Sequence, residues 1–171
     1  MTPTSDLLVD GFSRVRDTVH DVVDGLALEA LTYRPDPQAN PIGWLVWHLT
    51  RVQDDHVSEV ADAEQRWTAE SWDAKFALPF DRLATGYGQD AGETGLVAVE
   101  PSLLLGYHDA VHSATVAYVG SLVDTDLDRV VDTRWTPHVT LAVRLVSVIA
   151  DDLQHAGQAA YVRGMFERRN A

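Results

Sequence analysis

Apolar residues recur at helical spacing in four stretches of the chain. Leu8, Phe12, Val15, Val19 and Val22 fall at steps of three and four, the stripe of an amphipathic helix over about 5–24. Thr4 or Ser5 is its expected cap and Gly25 its stop. A short piece at 26–31 adds another turn. YRPDPQANP then breaks the pattern with three prolines between Pro35 and Pro41. Asn40 is the expected cap of the second helix, with Pro41 at its first position, and the helix should run to about Gln65. Ile42, Leu45, Val46, Leu49, Val52 and Val57 supply much of its buried face, flanked by Trp44 and Trp47. A third helix is expected over 101–123, with Leu104, Tyr107, Val111, Ala114 and Tyr118 on one side. The last begins near Thr140, or at His138 after Pro137, and ends around Arg168. VVDTRW, ahead of it, reads as extended. This pattern predicts an all-α fold, a four-helix bundle.

Residues 66–100 show no such period. They hold Trp67, Trp72, Phe76, Phe80 and Tyr87 among several glycines, a long aromatic-rich loop between the second and third helices. Loops of this length inside a compact domain are uncommon and often functional. So many rings argue against a disordered linker, and the segment is expected to pack as a lid over one end of the bundle.

Composition narrows the class. The 171 residues, 46% of them hydrophobic, suit one globular domain over 1–171. No apolar run approaches the roughly 18 residues that cross a bilayer. MTPTSDLLVD has no basic region followed by an apolar stretch, so a cytoplasmic location is expected. The absence of cysteine excludes disulfides, a thiolate nucleophile from the chain and Cys-ligated zinc. A net charge of −13 repels phosphate backbones and anionic lipid, so neither nucleic acid nor a membrane is an expected partner. A small-molecule substrate is. A homodimer is the commonest assembly for such a chain and is expected here.

Two of the seven histidines stand out. His48 lies in WLVWHL, the most apolar part of the second helix, where an unpartnered ring would cost roughly 1–3 kcal/mol. It is either bonded to another buried polar group or a metal ligand. His155 follows Asp151 by four residues and Asp152 by three in IADDLQHAGQ. At i and i+4 a carboxylate and an imidazole lie one above the other on a helix and can grip one divalent ion. The same spacing also describes an ordinary helical pair without metal. A third ligand from a facing helix would leave open coordination positions, and His48 is the best-placed candidate. Asp55 shares the face of His48 and could accept from the far nitrogen of a ligand imidazole. His108 and His112, also four apart, are the runner-up metal pair.

NPIGWLVWHLTRVQDDH together with SVIADDLQHAGQAAYVRG resembles the DinB/YfiT-like superfamily of metalloenzymes, most of all the actinobacterial branch related to mycothiol-dependent maleylpyruvate isomerases and mycothiol S-transferases. YRPDPQANP, Gly86-Tyr87-Gly88 and Leu105-Gly106-Tyr107-His108 extend the resemblance over nearly the whole chain. It implies a four-helix bundle with a metal triad, one histidine from the second helix and two residues four apart in the last. By position these are His48, Asp151 and His155, the last just before Gly157-Gln158. Many members carry histidine at the middle position and the thiol-dependent isomerases carry glutamate, so Asp151 is a departure. It remains a hard oxygen ligand, suited to zinc first and to nickel or manganese as well. The resemblance implies a divalent ion that activates the thiol of mycothiol for transfer or isomerisation, with Arg51 or Arg163 placed to receive an anionic cofactor or substrate. Two other functions fit the same residues: a bundle that binds a metal or small molecule without turnover, and a hydrolase in which the metal activates water.

Overall fold

In the computed structural model, which describes residues 2–169, four long helices form the frame. They are α1 (Pro3–Val23), α3 (Ile42–Ala61), α7 (Pro101–Ser121) and α8 (Leu141–Arg168). Two of the four helix starts match the expected signals, those of α7 and α8. α7 begins with Pro101 in its first turn, and the Thr140 hydroxyl accepts from the amide of Val143 to cap α8. α1 starts slightly earlier than expected, because Thr2 and Ser5 form a reciprocal box that satisfies both ends of the first turn. α3 begins with Pro41 at the cap, not Asn40.

α3 and α8 pack together, α1 packs on both α7 and α8, and α7 also packs on α3. Pairings along their lengths set the directions. Thr50 meets His108 and Tyr118 reaches the carbonyl of Val60, so α3 and α7 run parallel. Arg144 meets His56 while His155 meets His48, so α8 runs antiparallel to α3. Gly11 lies against Ile149 and Arg163 reaches the carbonyls of Asp21 and Val22, so α1 runs with α8. Most of the expected core is buried, although Val52, Ala114 and Tyr118 are only half-buried. Phe12, Val15, Val19, Leu45, Leu49, Leu104, Val111, Leu145 and Val148 are all buried along the inner faces.

α3 stops at Ala61, four residues before the expected Gln65. Asp62 turns left-handed at φ 52°, and the carboxylate of Asp54 accepts from the amides of Arg66 and Trp67, which restarts the chain as a new helix. Residues 66–100 are not irregular throughout. They contain short helices α4 (Arg66–Ala69), α5 (Trp72–Phe76) and α6 (Ala91–Thr94). The aromatics pack on one another and on the bundle: Trp67 lies 5.1 Å from Tyr107 and 5.2 Å from Phe76, ring centre to ring centre. This segment does not cover an end of the bundle. It runs back along the flank of α3, bonded in turn at Arg51 to Leu83 and Ala84, at His48 to Thr85 and at Trp44 to Gln89. The reason is chemical. Polar side chains of α3 face outward there and need the carbonyls of the returning chain. VVDTRW is extended only in part, as β1 (Val130–Asp132) paired antiparallel with β2 (Val139–Thr140), beside the start of α8. A short helix α2 (Leu28–Thr32) lies between α1 and α3, and a short 3-10 helix (Asp124–Asp128) between α7 and β1.

Candidate metal centre

Because α3 and α8 are packed antiparallel, one face of each meets the other at a single level. There His48, Asp151 and His155 offer ligand atoms that all lie within 4.8 Å of one another. Among the described residues they form the one such group of histidines and acids. The His48 and His155 rings stand edge to face at 4.8 Å, and the Nε2 of His155 is 3.7 Å from Oδ1 of Asp151.

Each imidazole has its other nitrogen engaged. His48 donates from Nδ1 to the carbonyl of Thr85 at 2.5 Å. A carbonyl can only accept, so the proton sits on Nδ1 and Nε2 keeps its lone pair. His155 Nδ1 is 3.1 Å from the side-chain oxygen of Gln158, and donation to that oxygen again leaves Nε2 bare. Histidine ligands to metals are held this way. Burial lowers the pKa of His48 below the ordinary histidine value, so its ring is neutral at pH 7. Oδ2 of Asp151 is buried and has no hydrogen-bond partner. An orphaned carboxylate oxygen beside two bare imidazole nitrogens fits a divalent cation, which would satisfy all three. Ligand bonds of about 2.0–2.1 Å bring the atoms of such a set to roughly 3.3 Å apart, a closure that side-chain rotation can supply.

Gly86 shapes the support. Its φ is +97°, and a Cβ there would lie 2.7 Å from Nδ1 of His48 and 3.1 Å from both Trp44 and Trp47. Only glycine lets the loop approach the ligand this closely. Trp44 stacks on the His48 ring at 4.5 Å and an interplanar angle of 12°, shielding its other side.

His48 and Asp151 open on a cavity of about 600 Å³. Asp55, His56, Tyr87, Arg134 and Trp135 also line it. Tyr87 is 94% exposed and Trp135 66% exposed, two free aromatic faces at its mouth. A second, largely apolar cavity of about 590 Å³ lies one helical turn further along α8, against Leu45, Gln158, Tyr161 and Val162. The aromatic segment itself encloses only about 180 Å³ around Trp47, Trp67 and Phe80.

The other expected positions fall elsewhere. Asp55 does not accept from His48. That role belongs to the Thr85 carbonyl, while Asp55 accepts from Gln65 at 2.7 Å. Arg51 is fully buried, and its three nitrogens are spent on Leu83, Ala84, Gln65 and Tyr107, so it receives no anion. Arg163 donates to the carbonyls of Asp21, Val22 and Asp24, capping the C-terminal end of α1. His108 lies in the core. Thr50 gives its own proton to Val46, so His108 must donate from Nδ1 to the Thr50 oxygen. Nε2 of His108 and Nδ1 of His112 are buried without partners, and among the described residues no third ligand stands with them. Asp152 also faces inward, fully buried. Burial, aided by the charge of Asp151, pushes its pKa well above the carboxylate range.

Sequence reasoning missed Thr85, His56, Arg134 and Trp135. The Gly86-Tyr87-Gly88 run was a sign that the first of these lay at a tight approach. Nothing in a loop of unknown path pointed to Arg134 and Trp135, whereas His56 stands two turns after His48 on the second helix, a spacing that could have found it.

The class that this fold and cluster define is the DinB-like four-helix bundle, with a His-Asp-His group between its second and last long helices. The chain belongs to the mycothiol S-transferase family, whose pattern it matches over residues 7–167. Among solved structures it is similar to a conserved protein from Enterococcus faecalis, with 29% identity, a TM-score of 0.89, and coverage of 95% of this chain and 96% of that one. No curated protein matches the chain.

Proposed function

We propose that His48, Asp151 and His155 hold a divalent ion, zinc in the first instance with nickel or manganese as alternatives, and that the protein joins mycothiol through its sulfur to a small electrophile, the thiol giving up its proton, or adds and releases that thiol to isomerise one. A bound divalent ion supplies the charge that turns a coordinated thiol into thiolate near neutral pH. The observation that carries the reading is the tautomeric arrangement: two imidazoles fixed with Nε2 bare, converging with an orphaned carboxylate oxygen.

The chain's own residues do the rest. Thr85 and Gln158 hold the two rings, and Trp44 and Gly86 exclude water and motion from the back of His48. The cavity beside Asp151 has room for a drug-sized molecule, and its exposed rings offer flat surfaces to pack against. Membership of the mycothiol S-transferase family supports the choice of thiol, and the absence of cysteine means that the sulfur must come from outside. The test is thiol-dependent consumption of an electrophile by protein loaded with zinc. Turnover with mycothiol that is lost in Asp151→Ala supports the reading. Ester hydrolysis without thiol would replace it with the hydrolase, and tight small-molecule binding without turnover with the binding bundle.

A further inference from the structure

The metal cavity has a wall that the triad does not explain. His56 lies two turns beyond His48 on α3 and lines the same cavity as His48 and Asp151. Its Nδ1 is 2.6 Å from Nη1 of Arg144. A guanidinium has no lone pair to give and never loses its proton in a protein, so Arg144 must be the donor and His56 the acceptor. That fixes His56 as the neutral tautomer with its proton on Nε2. Arg144 cannot turn away. It is buried, and its Nη2 is held by Asp132 at 3.1 Å, with Glu59 3.8 Å from Nη1. Asp132 is itself gripped by Arg134 at 3.0 and 2.7 Å. Arg134 uses Nε and Nη2 for that grip, and among the described residues nothing accepts from its Nη1. Arg134 lines the same cavity.

We propose that His56, locked as an Nε2–H donor by Arg144 and supported by the free Nη1 of Arg134, is a substrate-binding residue that holds an oxygen atom, so that the site takes electrophiles carrying a carbonyl or carboxylate oxygen next to the carbon attacked. The inference rests on the proposed function above. Three observations favour it. An ordinary histidine exchanges its proton between two nitrogens, whereas this one is built to donate. Burial and the charge of Arg144 lower its pKa, so it does not become a cation that would pair with Asp55. With Nδ1 spent on Arg144, Nε2–H is the one polar group the ring has left to offer a molecule in the cavity. Fixed N–H groups aimed at an oxygen on which charge grows are among the largest single contributions to catalysis.

The experiment has two arms. In the metal-free protein, nitrogen-15 NMR of the imidazoles at pH 7 should show His56 neutral with its proton on Nε2. This pattern should be lost in Arg144→Met, with the double variant Arg144→Met/Asp132→Asn, which leaves no buried carboxylate unpaired, as the second if the single one fails to fold. A proton on Nδ1 or an imidazolium in the wild type overturns the inference whatever the activity. In the second arm, zinc-loaded protein and mycothiol are given a maleimide, which has carbonyl oxygens, or benzyl chloride, which has none. His56→Phe should lose roughly 100-fold in kcat/KM with the maleimide and little with benzyl chloride, at unchanged zinc content. His56→Gln, which keeps an N–H donor, should restore much of the loss. Equal losses on both electrophiles, or none on either, overturn the inference and leave the thiol transferase standing. No thiol-dependent turnover in the wild type would overturn both.

Discussion

The imidazole of His48 hangs from the backbone of Thr85, its Nδ1–H 2.5 Å from that carbonyl oxygen. Thirty-seven residues separate them in the chain. The returning flank segment, built on Trp67, Phe76 and Phe80, therefore sets the orientation of a candidate metal ligand on α3.

Gly86→Ala should damage the site more than the fold. A Cβ at this position meets His48 Nδ1 at 2.7 Å, at a φ of +97° that alanine resists. Loss of the group that orients a ligand imidazole costs typically 10–100-fold in metal affinity. Competition with a chromophoric chelator should show about that loss for zinc. An unchanged affinity would mean that Thr85 does not hold the ring.

Asp54→Ala should be the costlier change for stability. This buried carboxylate accepts from the amides of Arg66 and Trp67 and from the hydroxyl of Tyr107 at 2.8–2.9 Å, with Arg51 3.7 Å away. Removing it leaves a buried guanidinium with less compensation and two amides unbonded, for about 3–5 kcal/mol. Urea unfolding measures this. A loss below about 1 kcal/mol would contradict the network. Asp54→Asn should fall between the two, since it keeps an acceptor.

Most of the bundle was legible in the sequence because its helices carry their own signals: the Val15–Val19–Val22 stripe, Pro101, the Thr140 cap. The end of α3 was not. The chain turns at Asp62, and Asp54, which restarts it, acts from inside α3 on amides twelve and thirteen positions on. The Asp151–His155 spacing and the apolar setting of His48 singled these residues out, but their grouping rested on the resemblance to the DinB-like family, because one sequence does not show which helices face each other. Their supports were not legible, since Thr85 acts through its carbonyl and any residue has one. Arg51 shows the same limit from the other side. Its charge suggested an anion, but the donors were already committed to backbone carbonyls of a loop whose path periodicity does not reveal.

Acid should weaken the fold through His108. Burial lowers its pKa from the ordinary 6.5 to about 3. Above about pH 6.5 both states hold the ring neutral, and its contribution to stability is complete. As pH falls from 6.5 toward 3, the unfolded chain takes up a proton that the folded chain refuses, so stability drops by about 1.4 kcal/mol per pH unit. Urea midpoints at pH 7 and pH 4.5 should diverge more for the wild type than for His108→Leu. Equal slopes would place a protonated His108 in the folded protein.

Whether His48, Asp151 and His155 share one divalent ion is decided by elemental analysis of protein purified from medium supplemented with zinc, nickel and manganese, beside His48→Ala and Asp151→Ala. About one ion per chain in the wild type, chiefly zinc, and little in either variant is the predicted result. A correctly folded wild type that holds no stoichiometric metal, or variants that hold as much as it does, would contradict the account.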